Sequence, residues 1–246
     1  MNSASATWLF DLGNTRLKFA PLQADGSLGE IRALAHADGM DIDAGVQAAL
    51  PTGELALVCS VGPQPLRSAL LLALAGRFQR IELATTQGRF AGLRIAYAEP
   101  AKLGVDRWLA LLAVHGAGLA PALLVSVGTA LTIDLLGRDG RHHGGLIAPS
   151  PTLMRQALHQ RARQLPVDGG QLLDFAGDTA DALASGCDGA ALGLIERSLA
   201  RATALLGAAP ALLLHGGGAE ALATHLPQAQ LHHRLVLQGL ARWAQG

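Results

Sequence analysis

Two short stretches of the chain combine glycine, hydroxyl and charged side chains at spacings that suit phosphate binding. They are Asp11-Leu12-Gly13-Asn14-Thr15-Arg16-Leu17-Lys18 and Ser126-Val127-Gly128-Thr129-Ala130-Leu131-Thr132-Ile133-Asp134. Each follows an apolar run and predicts two strands joined by a tight polar turn. Successive backbone amides at such a turn form a concavity that binds anions, and glycine lets a ligand approach the backbone closely.

Either stretch alone is also compatible with an ordinary hairpin turn. The pair favours phosphate binding, because both stretches carry an acid, Asp11 in the first and Asp134 in the second. We call these turns the first tip, in 11–18, and the second tip, in 126–134. The two tips would hold one polyphosphate between two domains.

The elements around these tips predict two α/β halves, each of which begins with a β-meander and continues with alternating helices and strands. Glycine and proline cluster at 116–121 and mark the boundary between domains 1–117 and 118–246. In the first half we expect strands at 7–10, 16–22, 55–61, 81–84 and near 93–97, and helices at 65–77 and 105–115. In the second half we expect a hairpin at 122–136, strands at 143–148 and 211–214, and helices at 152–163, 179–206, 219–226 and 236–244.

Composition narrows the class of protein. A chain of 246 residues, half of them hydrophobic and 15% charged, can bury the core of one large or two medium domains. It has no uncharged apolar run of about 18 residues, so we expect no transmembrane helix, and its first ten residues do not resemble a signal peptide. A net charge of zero argues against nucleic acid as the partner. Cys59 and Cys187 fit no metal-binding spacing, which favours a reducing, cytoplasmic setting.

Four motifs, in this order and spacing, resemble those of type III pantothenate kinases, also called the Bvg accessory factor family. They are Asp-x-Gly-Asn-Thr-x-x-Lys at 11–18, Gly-x-Asp-Arg at 104–107, Gly-Thr-Ala-x-Thr-x-Asp at 128–134 and Gly-Gly-x-Ile-x-Pro at 144–149. The resemblance spans nearly the whole chain. It implies an α/β protein with an actin-like ATPase fold, made of two ribonuclease H-like domains with the active site in the cleft between them.

The resemblance also implies a reaction: ATP-dependent phosphorylation of pantothenate to 4′-phosphopantothenate, the first step of coenzyme A biosynthesis. Family members are homodimers that use Mg²⁺ and a monovalent cation, K⁺ or NH₄⁺. By the same resemblance, ATP is bound by Asp11, Leu12, Gly13, Asn14, Thr15, Arg16, Leu17, Lys18 and Thr129. Asp11 would hold Mg²⁺ through water, in keeping with the preference of magnesium for oxygen ligands; from the residues alone, Asp11 is equally well a turn-capping acid.

Asp106 matches the catalytic base of the family. Its alternative role is that of a first-turn acid favoured by the helix dipole. Arg107 can pair bidentately with a substrate carboxylate, or it can lie on an exposed helix face, and Trp108 can form a wall of the pocket. The substrate-binding set implied by the resemblance is Tyr97, Gly104, Val105, Asp106, Arg107 and Thr179.

Tyr97 is equally compatible with a half-buried strand aromatic. Thr179 matches a family threonine that reaches the substrate across the dimer, and Asp178 and Thr179 are also plausible helix caps.

Two positions depart from the family pattern. Ser126 stands where the family has an aspartate tied to the monovalent cation, which predicts a weakened cation site. Ser150 replaces a usual glycine and is expected to alter only a turn. Gly216-Gly217-Gly218 lies where actin-like folds meet adenine, but a bare glycine-rich loop is weak evidence and carries no assignment.

Two other functions are compatible with the sequence. One is a kinase of another small hydroxy acid or sugar, since fold alone does not separate such substrates. The other is a nonenzymatic nucleotide-binding regulator. Tyr97 with Gly104–Arg107 favours pantothenate, while Asp11, Asp106 and Thr129 argue against a protein that only binds nucleotide.

Overall fold

The computed structural model describes residues 7–36 and 42–246, and these form two compact units. Unit 1 comprises the residues up to Gly118 together with Arg234–Gly246, and unit 2 comprises Leu119–His233. The predicted second domain, 118–246, therefore differs from unit 2, because the last segment of the chain groups with unit 1. The first ten residues, for which we expect no signal peptide, include six that lie outside the described residues.

Unit 1 is built on a mixed sheet with the strand order β3-β2-β1-β4-β5. The first three strands form an antiparallel meander, and β4 and β5 run parallel to β1. The strands are β1 (Thr7–Leu12), β2 (Arg16–Pro21), β3 (Arg32–Ala35), β4 (Gly53–Ser60) and β5 (Phe78–Leu83), followed by a two-stranded ribbon of β6 (Arg89–Phe90) and β7 (Leu93–Arg94). The α-helices of the segment before unit 2 are α1 (Ala44–Ala49), α2 (Gln64–Ala75) and α3 (Val105–Gly116).

The central strand β1 is buried on both faces of this sheet. Leu9 and Phe10 point to opposite faces, and both are fully buried. On one face, Phe10 stacks on Phe19 and meets Phe78 edge to face, each with ring centroids 5.7 Å apart. The apolar stripe of α2, with Leu66, Leu70 and Leu74 at helical spacing, belongs to the same cluster. This packing fixes β1 and β2, and with them the turn that joins the two strands.

Unit 2 repeats the plan of unit 1, with the strand order β10-β9-β8-β11-β12. Again three antiparallel strands are followed by two parallel ones. The elements are β8 (Ala122–Val127), β9 (Ala130–Leu136), β10 (His142–Pro149), α4 (Pro151–Arg161), α5 (Thr179–Leu206), β11 (Ala211–His215), α6 (Ala219–Ala223) and β12 (Ala229–Leu231). The echo between the two motifs thus reflects two sheets of the same topology.

The last helix, α7 (Leu235–Trp243), packs against α3 in unit 1. Residues Arg107–Val114 of α3 are all buried as a result. Gly239 lies so close to the backbone of Leu109 that a Cβ at this position has no room. A return of the chain end to the first unit leaves no signal in the sequence, so the domain prediction could not include it.

Most predicted elements are present in the structure, with ends shifted by a few residues. Four of the short elements named above were not predicted: β3, α1, β6 and β12. β3 is largely exposed and therefore lacks the alternating apolar pattern on which strand prediction depends. The expected strand at 93–97 is limited to Leu93–Arg94. Among the helices of the described residues, none has the length and hydropathy needed to cross a membrane.

The close approach of α7 to α3 gives a stability prediction. We expect Gly239→Ala to lower the free energy of unfolding by about 1–3 kcal/mol, the usual cost of overpacking a core. Gly76→Ala in the same unit is the control, because a Cβ there meets no atom within 4 Å. Urea unfolding of both variants measures the effect. Equal stability of the two variants would contradict the packing described for Gly239.

Candidate active site

The first tip is the turn between β1 and β2. The Gly13 N–H donates to the Arg16 carbonyl at 3.0 Å and closes the turn. The side chains of Asn14, Thr15 and Arg16 are exposed, whereas Leu12 and Leu17 on either side are buried in the core. Of the predicted ATP-binding residues, these two leucines can therefore offer only backbone atoms.

Asp11, the partly buried acid at the end of β1, lies beside a lysine and a cysteine. The strand register places it opposite Lys18 on β2 and opposite Cys59 on β4. Burial raises the pKa of Asp11 to about 7 and is the largest influence on it. The Lys18 ammonium lowers that pKa, the Asp106 carboxylate raises it, and a hydrogen bond from the Cys59 thiol lowers it. Asp11 is thus an acid within a charged cluster.

Asp106 lies in the first turn of α3, two residues after Gly104, the N-cap residue. A Cβ on Gly104 would come within 2.7 Å of the Asp106 carboxylate, so this carboxylate folds back over the glycine. Burial, Asp11 and Asp106 together raise the pKa of the Cys59 thiol well above its ordinary value. The structure therefore brings Asp11, Lys18, Cys59 and Asp106 together within unit 1.

Arg107 is buried, with only 6% of its surface exposed, so the alternative of an arginine on an exposed helix face is wrong. Its guanidinium donates to the Tyr97 hydroxyl at 3.4 Å, and this contact joins two residues of the predicted substrate-binding set. Trp108, in contrast, is fully buried and packs edge to face on Phe90 with ring centroids 5.8 Å apart. The expectation that Trp108 forms a pocket wall is therefore wrong, because the residue belongs to the core.

The second tip is the turn between β8 and β9. The Gly128 N–H donates to the Ala130 carbonyl at 3.0 Å, and Gly128 and Thr129 are exposed. The Ser150 hydroxyl donates to the Thr129 carbonyl at 2.9 Å and accepts from the Leu153 N–H at 3.3 Å. The Ser150 hydroxyl therefore connects the second tip to the start of α4. This role goes beyond the altered turn that is expected from the sequence.

The glycine-rich loop after β11 packs directly behind this second tip. The Gly218 N–H donates to the Val127 carbonyl at 2.9 Å. Gly216 has a φ of 97°, and a Cβ on it would approach the backbone of Val127 to 2.5 Å. Glycine is required at position 216 both by this backbone conformation and by the close contact.

Asp134 and Ser126 lie on the strands beside the second tip and not in its turn. Asp134 is buried in β9, where its carboxylate contacts His142 Nε2 at 2.9 Å. The expectation that Asp134 supplies an acid at the tip is therefore wrong, because this carboxylate pairs inside the sheet. Ser126 is partly buried and lies opposite Thr132 on β9 and His215 on β11.

Thr179 is exposed at the first position of α5, and the cap of this helix is Asp178, whose side chain accepts from the Asp181 N–H at 2.9 Å. The capping alternative therefore applies to Asp178 and does not account for Thr179.

Three residues at the tips were not predicted as contributors: Cys59, Ser150 and His36. His36 follows β3 and is 7% exposed. Its Nε2 lies 3.1 Å from the Gly13 carbonyl, and its backbone N–H donates to the Thr15 carbonyl at 3.4 Å. The sheet brings Cys59 and His36 to the first tip, and no local motif could have indicated these two residues, whereas Ser150 directly follows the motif at 144–149.

Two solved structures define the fold class of this chain. A Streptomyces griseus ROK family glucokinase, solved with glucose and AMPPNP, aligns over 97% of this chain and 98% of its own, with a TM-score of 0.51 and 12% identity. A conserved Baf family protein from Campylobacter jejuni aligns over 97% of both chains, with a TM-score of 0.65 and 21% identity. The expected actin-like ATPase fold of two α/β domains is confirmed.

Sequence comparison identifies the family within this class. The family model for type III pantothenate kinases matches residues 8–201. The type III pantothenate kinase of Stenotrophomonas maltophilia (strain K279a) is 59% identical over 239 residues, and that of Xanthomonas oryzae pv. oryzae (strain PXO99A) is 54% identical over 238 residues. Each match covers 96% of this chain and 96% of the relative. The chain belongs to the type III pantothenate kinase family.

The raised pKa of Asp11 predicts a dependence of stability on pH. In the unfolded chain Asp11 ionises near its ordinary value of 3.8, whereas in the folded protein it keeps its proton up to about pH 7. The folded state therefore loses stability as the pH rises through this window. Asn has no charge to bury, so its free energy of unfolding does not fall in this window. Between pH 5 and pH 8 we therefore expect the stability of Asp11→Asn relative to the wild type to increase by about 1–3 kcal/mol.

Urea unfolding in the presence of EDTA at both pH values measures this difference. Asp25→Asn is the control, because Asp25 is exposed and hydrogen bonds from Ser27 lower its pKa. Asp25 is therefore ionised at both pH values, and the effect of this substitution on stability should not change between pH 5 and pH 8. A stability difference between wild type and Asp11→Asn that does not change with pH would show that Asp11 ionises normally.

Proposed function

We propose that this chain transfers the γ-phosphoryl group of ATP to the 4′-hydroxyl of pantothenate and forms 4′-phosphopantothenate, the first intermediate on the way to coenzyme A. The observation that carries the proposal is the cluster of Asp11, Lys18 and Asp106, in a chain of this kinase family. Phosphoryl transfer needs the phosphates positioned and neutralised, and it needs a group that takes the proton of the attacking hydroxyl. These residues supply both requirements.

The two tips bind the phosphates of ATP in this proposal. Backbone amides and hydroxyls of Asp11–Lys18 contact phosphate oxygens, and Thr129 contributes a hydroxyl from the second tip. Lys18 adds a positive charge beside Asp11, while Gly13 and Gly128 keep both turns narrow, so that the backbone approaches the ligand.

The donor set at Asp11 fits Mg²⁺. Two carboxylates, Asp11 and Asp106, lie near enough to influence one pKa, and Mg²⁺ binds through one or two carboxylates together with waters and substrate phosphates. Asp11 would hold the ion through water. When bound, Mg²⁺ neutralises charge on the phosphate oxygens. Within the described residues no three His, Cys, Asp or Glu side chains form a cluster for a fully protein-bound ion, so the phosphates of ATP would complete the coordination.

Asp106 acts as the general base. Its carboxylate accepts the proton of the acceptor hydroxyl while the hydroxyl oxygen forms a bond to the γ-phosphorus. The bond between that phosphorus and the β–γ bridging oxygen breaks, and ADP leaves with the electron pair. The position of Asp106 over Gly104 and near Asp11 keeps the carboxylate beside the phosphate-binding turn of its own unit.

Arg107 and Tyr97 recognise the acceptor. Arginine binds a carboxylate bidentately, so the Arg107 guanidinium is suited to the carboxylate of pantothenate. The Tyr97 hydroxyl, 3.4 Å from this guanidinium, fixes its orientation. Gly104 and Val105 supply backbone at the same site. Sugars lack a carboxylate, so these two residues favour pantothenate over a sugar acceptor.

The test of the function is ADP release by purified protein supplied with ATP, Mg²⁺ and a panel of acceptors. We expect turnover with pantothenate, weak turnover with its carboxyl-free alcohol analogue pantothenol, and none with glucose or N-acetylmannosamine. ADP release that is equal with and without every acceptor, or fastest with a sugar, would contradict the proposal.

We further propose that the enzyme is a cytoplasmic homodimer formed through unit 2. An apolar groove of about 680 Å³ runs between α4 and α5 and contacts the end of β10. Phe175, just before Thr179, is 98% exposed and Ile147 on β10 is 68% exposed. Such apolar surface marks an interaction site, and a second copy of this face would cover it and bring the partner's Thr179 to the acceptor. The groove is lined by Pro149, Leu153, Met154, Ala157, Leu158, Ala182, Leu183, Gly186 and Cys187.

The proposed cytoplasmic location matches the two free cysteines, Cys59 and Cys187, because a reducing compartment keeps thiols from forming disulfides.

The dimer proposal predicts that Phe175→Ser shifts the protein towards monomer and raises the KM for pantothenate. Thr179→Ala should also raise the KM for pantothenate. Leu72→Ser is the control, because Leu72 is an equally apolar residue that is 79% exposed in unit 1. Sedimentation velocity at the assay concentration measures the association state. A wild type that is active as a monomer would rule out the dimer.

The role of Asp106 predicts that Asp106→Asn lowers kcat by about 10² or more, the scale of general-base catalysis, with the Kd for ATP little changed. The amide keeps the size of the carboxyl but cannot take the proton. Glu99→Gln serves as the control, because Glu99 is an exposed acid paired with Lys102. Turnover of Asp106→Asn within a few-fold of wild type would remove Asp106 from the role of base.

We also propose that Ser126 weakens the monovalent cation site, because its neighbours Thr132 and His215 supply no carboxylate in its place. A unit charge about 4 Å away is worth roughly 4 kcal/mol at an effective dielectric of about 20, so its loss lowers cation affinity. We expect weak activation of the wild type by K⁺ in a Tris-buffered assay and stronger activation of Ser126→Asp. Strong activation of the wild type at low K⁺, unchanged in the variant, would contradict this.

A further inference from the structure

The carbonyl groups of the two tips are held by buried side chains that belong to neither motif. At the first tip, His36 Nε2 lies 3.1 Å from the Gly13 carbonyl. At the second tip, the Ser150 hydroxyl donates to the Thr129 carbonyl at 2.9 Å. His36 is 7% exposed and Ser150 is 2% exposed, so both contacts lie on the protein side of their tips.

The direction of these hydrogen bonds determines the direction of the neighbouring amides. In a trans peptide the C=O and the N–H of the same plane point opposite ways, and the only cis bond of the described residues is Ala120-Pro121. A Gly13 carbonyl held by His36 therefore turns the Asn14 N–H away from the core, and a Thr129 carbonyl held by Ser150 does the same for the Ala130 N–H. Outward amides are what an anion-binding turn requires.

We propose that His36 and Ser150 are positioning residues for nucleotide binding, each of which orients the peptide plane of one phosphate-binding tip from behind. This inference rests on the proposed role of the tips in binding ATP phosphates. Neither side chain contacts the nucleotide, and each acts through a single tip carbonyl.

The chemistry of His36 fits this role better than a role in stability. A carbonyl oxygen only accepts, so Nε2 must carry the hydrogen of the bond to Gly13. The other ring nitrogen, Nδ1, is buried and has no hydrogen-bond partner among the described residues. A buried nitrogen without a partner is unfavourable, so an apolar residue of similar size would serve the core at least as well. The bond to the tip is the feature that an apolar residue cannot supply.

Ser150 has a second bond, as the N-cap of α4, and this bond must be separated from its contact with the tip. Its hydroxyl accepts from the Leu153 N–H at 3.3 Å while it donates to Thr129. Replacement of an N-cap serine by glycine changes helix stability little, so Ser150→Gly removes the contact with the tip at small cost to α4. Ser150→Thr keeps both bonds.

The experiment measures binding of AMP-PNP by isothermal titration calorimetry in the presence of Mg²⁺, without pantothenate. Loss of one hydrogen bond that orients an amide is expected to raise the Kd for AMP-PNP about 3- to 10-fold in His36→Leu and in Ser150→Gly. His36→Gln and Ser150→Thr, which keep a donor, should bind within about 2-fold of wild type. In steady state, the KM for ATP should rise while the KM for pantothenate is unchanged.

Two control variants remove hydrogen bonds of the same kind elsewhere. Ser198→Ala removes a hydroxyl that donates to the Leu194 carbonyl at 2.7 Å, and His159→Leu removes a ring whose Nδ1 lies 2.6 Å from the Leu165 carbonyl. Both should bind AMP-PNP like wild type. The melting temperature of His36→Leu should equal or exceed that of wild type, a result that a purely structural role would not give.

The outcomes separate this inference from the proposed function. Pantothenate turnover by the wild type, with unchanged AMP-PNP binding in His36→Leu and Ser150→Gly, would overturn the inference and leave the function intact. Weakened binding in these two variants, in an enzyme that phosphorylates another acceptor, would overturn the proposed substrate and support the inference. Equal weakening in the two control variants would also overturn the inference, because the effect would then not depend on the tips.

Discussion

The burial of Asp11 close to a second acid, Asp106, is the constraint on which the rest of the proposed site depends. Asp11 lies near the end of the buried central strand β1, and Asp106 lies in the first turn of the buried helix α3. Burial and the negative charge of Asp106 raise the pKa of Asp11 to about 7, although Lys18 lies opposite Asp11 in the sheet. A fold that holds two carboxylates so close accepts a cost in stability. In the proposed function, a bound Mg²⁺ would offset that cost, because a dication favours the ionised form of both acids.

The surrounding structure keeps these acids in place. β1 is buried on both faces, and α3 is buried from Arg107 to Val114 because α7 returns to unit 1 and packs on it. Gly239 allows the two helices to approach at Leu109. The C-terminal helix is therefore part of the support of Asp106, although it lies far from this residue in the sequence.

The sequence predicted the features that depend on local pattern. The two tips, the helix that begins after Gly104 and the repeated meander could all be predicted, because apolar alternation and glycine-rich turns are short-range signals. The return of α7 to unit 1 could not be predicted, since packing between distant segments leaves no periodic signal. The pairing of Asp134 with His142 inside a sheet was missed for a related reason: an acid near a motif looks the same in sequence whether it faces a ligand or a buried histidine. Trp108 was placed at a pocket wall because its neighbours Asp106 and Arg107 carry chemistry, whereas on a helix adjacent residues face different directions.

The most direct test of the account is the titration of the Asp11 carboxyl, followed by carbon-13 NMR in metal-free wild type and in Asp106→Asn. We expect a pKa of about 7 for Asp11 in the wild type and a lower value in Asp106→Asn, where the negative charge of Asp106 is absent. An Asp11 that titrates near its ordinary value of 3.8 in both proteins would contradict the account, because the two acids would then not form one charged site.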